Sequence, residues 1–216
     1  GTVQAVGFDS RAQRMVVTSG QKVRIWDLST GQPVTPELAH AASVTHAEFS
    51  PDGRLLVTSC SDRTLDAKAA QLWDAETGRP FGPPLPHRDG VLYAAFSPDG
   101  RRVVTASEDF TAIIWDVQSG RQIAPALKHE NQINSVSFSL HGRWIVTAGR
   151  GGEARIWDAD TGEPITLPLL QPGSDLASAQ LVANDRRLLT VTVSGEKRLR
   201  ELPRDDRPVA DLVSIA

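Results

Sequence analysis

His87, Thr105 and Asp109 are the three residue types of a nucleophilic triad: a hydroxyl to attack, an imidazole to take its proton, and a carboxylate to orient the imidazole. The same types recur at His40, Thr58 and Asp62, and again in part at His129 and Thr147. An enzyme rarely needs one site per repeated unit, so the recurrence argues for a structural set and against acyl transfer. Each set is followed by a tryptophan, at Trp73, Trp115 and Trp157. Metal binding fares no better. His40, His87 and His129 lie in different units, and none is followed at i+2 to i+5 by a second His or Cys ligand. His46 and His141 read as strand-surface and turn residues. No catalytic, metal or cofactor site is expected.

Other chemical motifs also resolve into structure. "AGRGGEAR" places Gly149, Gly151 and Gly152 in one turn, but it lacks the strand-to-helix setting and Lys-Ser/Thr ending of a phosphate cradle. Cys60 has no basic neighbour closer than Arg63 and reads as an inert small hydrophobe. Acids interrupt the basic residues from Glu196 to Arg207, which makes that run a solvated face. Across all 216 residues the net charge is −3, so no strong field favours nucleic acid or an acidic membrane. No apolar run approaches the roughly 18 residues of a membrane helix, and no signal leader is read at the start. One cysteine excludes an internal disulfide and fits a reducing compartment, hence the expectation of a cytoplasmic protein. A first residue Gly, where Met would be usual, is expected of a processed or excised chain.

The residues in these sets must be positioned by a repeat. WD pairs begin at Trp26, Trp73, Trp115 and Trp157, at spacings of 47, 42 and 42. Phe8, Phe49, Phe96, Phe138 and then Leu181 keep a similar beat, and Thr58, Thr105, Thr147 and Thr190 follow the last four of them by nine residues. Arg200 stands where a fifth tryptophan would fall. The units run approximately 1–40, 41–87, 88–129, 130–172 and 173–216, within a single domain. In each, an alternating strand such as "VLYAAF" ends at an "SPDGR"-type turn. A second strand, the "RIWD" strand and a "DxxTGxP" turn follow. The outgoing segment, "PFGPPLP" or its equivalents, carries prolines that suit a sheet edge as well as they would a polyproline ligand. An all-β fold of four-stranded antiparallel meanders, packed face to face around an axis, is the expectation.

With its WD pairs, SPDG turns and upstream histidines recurring together, the chain resembles the WD-repeat β-propeller family along essentially its whole length. The resemblance implies a hydrogen-bonded support in each blade: His, Ser/Thr, Asp and Trp. The second unit supplies His40, Thr58, Asp62 and Trp73, and the third His87, Thr105, Asp109 and Trp115. The fourth has His129, Thr147 and Trp157, with Gly151 at the Asp position. The fifth has Pro172, Thr190, Ser194 and Arg200, while the first lacks the Asp and its His would precede Gly1. A non-catalytic scaffold for a protein or peptide partner is implied, with no nucleic acid and no membrane. The alternative is a regulatory segment of a larger bacterial signalling protein such as a kinase. The candidate rim for partner binding comprises Gln4, Thr45, Leu92 and Asn134, by extension Ala177, and beside them Ser61, Glu108 and Arg150. A closed five-bladed ring, and so a monomer, is expected; an open one would self-associate.

Overall fold

The computed structural model describes residues 3–61 and 68–202. Blade 1 is β1 (Ala5–Phe8), β2 (Arg14–Ser19), β3 (Lys22–Asp27) and β4 (Leu38–Ala39). Blade 2 is β5 (Val44–Phe49), β6 (Leu55–Cys60), β7 (Ala69–Asp74) and β8 (Leu85–Pro86). Blade 3 is β9 (Val91–Phe96), β10 (Arg102–Ser107), β11 (Thr111–Asp116) and β12 (Leu127–Lys128). Blade 4 is β13 (Ile133–Phe138), β14 (Trp144–Gly149), β15 (Glu153–Asp158) and β16 (Leu169–Leu170). Blade 5 contributes β17 (Leu176–Val182), β18 (Arg187–Thr192) and β19 (Lys197–Glu201), and the "RPVADLVSIA" segment expected to be its outer strand lies outside the described residues. Every sheet is an antiparallel meander in chain order.

Local chemistry explains the turns. Asp74 Oδ1 accepts from the backbone N–H of Thr77 at 2.7 Å, and Gly78 closes that turn at φ 70°, a conformation glycine adopts without strain. Asp27 does the same for Thr30 at 2.8 Å, and the Ser29 hydroxyl leads in pulling its carboxyl down to about 2. The outgoing segments are more broken than the proline pattern suggested. Each makes one isolated bridge, such as Trp73 opposite Pro80, and then a two-residue strand, because proline withholds the N–H that a continuous ladder needs.

The core lies between blades. Phe49, Leu56 and Trp73 of blade 2 pack on Val16, Ile25 and Leu38 of blade 1, and the same arrangement joins each later pair. On one rim Arg102 donates to the Gly142 carbonyl at 2.7 Å and lies over the Phe138 ring, as Arg14 lies over Phe49.

Inner strands pack in sequence, β1 on β5, β5 on β9, β9 on β13 and β13 on β17. No comparable packing joins blade 5 to blade 1 among the described residues. Among the described residues the blades therefore form an open arc, where a closed five-bladed ring was expected. Phe8 of blade 1 is left 58% exposed, and Leu199 of blade 5 55%.

Leu199 occupies the position in β19 that Leu72 occupies in β7, where it is 1% exposed. Leu72→Ala is expected to cost about 2–5 kcal/mol and Leu199→Ala less than about 0.5 kcal/mol. Urea denaturation of the two variants checks this, and equal losses would contradict the open face.

Candidate functional site

The third-blade set forms a directional chain. The Trp115 indole N–H donates to Thr105 Oγ1 at 2.8 Å, and His87 Nε2 lies 2.7 Å from the same hydroxyl. His87 Nδ1 is 3.0 Å from Asp109 Oδ2. In the neutral ring, Asp109 accepts the Nδ1–H and Nε2 accepts from Thr105. Asp109 also accepts from the backbone N–H of Arg88 and from the hydroxyl of Thr111. Burial opposes ionisation of Asp109, but these hydrogen bonds and the His87 ring outweigh it and hold the carboxyl well below its usual range. Thr105 is completely buried between imidazole and indole, so its hydroxyl is consumed by the support and no substrate carbonyl reaches it. The triad-like residues are structural.

The neighbouring blades reach the same geometry by other routes. In blade 2, Trp73 donates to Thr58 at 2.8 Å, His40 Nε2 lies 2.9 Å from Thr58, and His40 Nδ1 donates to the Leu38 carbonyl at 3.0 Å. Asp62 lies outside the described residues. In blade 4, Trp157 donates to Thr147 at 2.8 Å and His129 Nε2 lies 2.6 Å away from that hydroxyl. With Gly151 at the Asp position, buried Glu153 approaches His129 Nδ1 at 3.5 Å and also pairs with Arg155. Burial pulls His129 down to about 4, partly offset by Glu153.

In blade 5 the position taken by the histidines belongs to Gln171 and not to Pro172. The Gln171 backbone N–H bonds Gly152 O as the His129 N–H bonds Phe110 O, and Thr190 donates to Gln171 Oε1 at 2.9 Å. Ser194 pairs instead with Thr192 at 2.8 Å in the following turn, and Arg200 is exposed.

Much of the candidate rim ties blades together. Thr45 Oγ1 donates to Val91 O at 2.8 Å, Asn134 Nδ2 to Leu176 O at 2.8 Å, and Ser61 Oγ to Glu108 Oε2 at 3.1 Å. Arg150 sits 4.0 Å from Asp175, whose other oxygen accepts from the Gly151 N–H. Gln4 accepts from Gly20 N within its own blade, Leu92 is half-buried, and Ala177 is exposed. These residues share one face of the arc, but several of their polar groups already have partners.

Three segments, residues 31–65, 84–116 and 123–158, match the family model described as WD domain, G-beta repeat. These three segments are WD repeats. Among curated proteins, this WD-repeat chain is similar to Coronin-7 of Mus musculus, 39% identical over 51 residues, which is 24% of this chain and 6% of that protein. To Coronin-7 of Bos taurus it is 34% identical over 64 residues, 29% of this chain and 7% of the relative. The match thus spans less than a tenth of the length of these relatives. Among the described residues of the WD-repeat chain, no three His, Cys, Asp or Glu side chains gather as a metal cluster, and no helix is long and apolar enough to cross a membrane. Cys60 is buried, and burial pushes its thiol up to about 11, which keeps it unreactive.

Two features of the WD-repeat chain escaped the sequence. Phe110 ends the "SEDF" turn at φ 70°, a conformation costly for a bulky residue, and its ring is 48% exposed. An aromatic in a tight hairpin turn, where Gly or Asn is usual, was the available signal. The second is Glu48, on inner strand β5. It accepts from the Phe96 N–H at 3.0 Å in the next blade, and burial pushes its carboxyl up to about 7. Nearby His46 stacks on Tyr93 at 3.7 Å and is pulled down to about 4, again by burial.

Because folded Glu48 holds its proton above the unfolded value of 4.5, its contribution to stability is lost as pH rises from about 4.5 to about 7. Glu48→Gln keeps the acceptor for Phe96 and removes that loss. The variant is expected to exceed the parent by about 3 kcal/mol at pH 7.5, with no difference at pH 3.5, as read by denaturant midpoints across pH.

Proposed function

We propose that the chain is a non-catalytic protein-binding scaffold, and that a protein or peptide partner docks on the rim that carries Phe110. The carrying observation is Phe110 itself. A strained backbone conformation that places an aromatic ring in water has no benefit within the fold, whereas partly exposed aromatics are the residues that most often dominate a protein interface. Asp109, next to Phe110 in the chain, fixes the backbone N–H of exposed Arg88, and the equivalent turn of blade 4 presents exposed Arg150. Aromatic and arginine together suit a peptide carrying an apolar residue beside an acidic one. The inter-blade ties through Thr45, Asn134 and Ser61–Glu108 support this reading by holding the rim rigid, which lowers the entropic cost of docking. The three matched WD repeats support it as well.

Phe110→Gly separates function from folding, because glycine accepts φ near 70° without strain. The variant is expected to be as stable as the parent or more so, by about 0.5–1 kcal/mol, while losing at least about tenfold in partner capture. Quantitative affinity capture from lysate of the source cells, with parent and variant compared by mass spectrometry, is the test. Identical sets of captured proteins from both would contradict the assignment of this rim.

A further inference from the structure

In blades 2, 3 and 4 the Thr hydroxyl receives an indole N–H, and in blade 5 the residue opposite Leu188, where those blades carry tryptophan, is Arg200. A cavity of about 460 Å³ lies there, between β16 and β18–β19, within the range of about 300–1,000 Å³ that small-molecule sites occupy. Its lining keeps the receiving apparatus of the other blades. Leu188, 1% exposed, stands where Leu56, Val103 and Ile145 pair with their tryptophans. Thr190 supplies the hydroxyl, which donates to Gln171 and has lone pairs left to accept an N–H. Arg198 pairs with Thr190 as Arg155 pairs with Thr147, and Arg155 lies 5.7 Å from the centre of the Trp157 ring. Arg198 is even held by Glu196 as Arg155 is by Glu153.

Gln171 provides an independent sign. It is 5% exposed and lines the cavity, and its Nε2 is buried without a hydrogen-bond partner, an arrangement that is costly unless something satisfies it. We infer that this cavity is a binding site for an indole-type group: a flat aromatic ring, lying against Leu188 and under Arg198, whose N–H donates to Thr190. An acceptor atom attached to that ring would satisfy Gln171. The group arrives either as a free small molecule or as the tryptophan side chain of a peptide. The site is separate from the Phe110 rim and does not depend on it.

The test is a titration of the isotope-labelled 216-residue chain, followed by amide NMR shifts at 169–171, 188–190 and 198–200. Indole is expected to give saturable shifts with a Kd at or below about 1 mM, and 1-methylindole, which lacks the N–H, to bind about tenfold more weakly. Arg200→Trp supplies the ring from the chain itself and is expected to abolish the indole shifts while the spectrum of blades 2–4 is retained. A Gly-Trp-Gly peptide that produces the same shifts assigns the group to a peptide partner, and free indole acting alone assigns it to a small molecule. The inference is overturned if indole gives no saturable shifts, if 1-methylindole binds equally well, or if indole still binds the Arg200→Trp variant.

Discussion

An indole N–H donated to a threonine hydroxyl that water cannot reach is the contact on which the three central blades depend. Tryptophan is the largest side chain available to fill the wedge between two sheets, but it brings one polar hydrogen into an apolar interface. Leaving that hydrogen unpaired would forfeit part of what the ring contributes. Threonine solves this from the adjacent strand, and a histidine just past the outer strand of the preceding blade then completes the threonine hydroxyl. The chain from Trp115 through Thr105 and His87 to Asp109 therefore ties two strands and a turn of blade 3 to the segment that follows β8 of blade 2, by side chains alone. The variation at its far end is instructive. Asp109, the Leu38 carbonyl and Glu153 all serve the histidine, so the acceptor there can change in identity while the Trp–Thr–His core stays the same.

That contact also explains why the arc is graded from its middle to its ends. A tryptophan-bearing face is buried only if another blade stands before it, and the opposite face only if one stands after. Blades 2–4 have both neighbours. Blade 1 leaves Val6 and Phe8 exposed, and blade 5 leaves Leu199, with all of β19 at the surface. Apolar surface stranded in this way contributes little to stability, since burial is proportional to the area withdrawn from water. The loss of tryptophan from blade 5 belongs to the same gradient, yet Thr190, Leu188 and Arg198 retain the places they would hold around such a ring.

Repetition made most of this legible in the sequence. The WD pairs, the SPDG turns and the Phe beat gave the blades and their strand order, and the recurrence of His, Thr and Trp distinguished a support from a catalytic triad. The failures have a common cause: they concern relations between units, and a repeat carries no information on those. Thr45 and Asn134 looked like free rim residues because the carbonyls they bond belong to the next blade, some 40 residues onward. Closure depends on the angle between packed sheets, which no spacing encodes. Glu153 replaced the missing aspartate from a strand position that the motif does not include, and Gln171 was hidden by a one-residue offset in a degenerate unit.

The chain has five tryptophans, which fall into two classes. Trp73, Trp115 and Trp157 are at least nine-tenths buried and donate to threonine, whereas Trp26 and Trp144 are half-buried and make no indole hydrogen bond among the described residues. Hydrogen–deuterium exchange of the five indole N–H groups, resolved by nitrogen-15 NMR, reads the Trp–Thr hydrogen bond itself. Strong protection is expected at Trp73, Trp115 and Trp157, with exchange limited by opening of the blades, and rapid exchange at Trp26 and Trp144. Similar rates at all five, or rapid exchange at Trp115, would contradict this expectation.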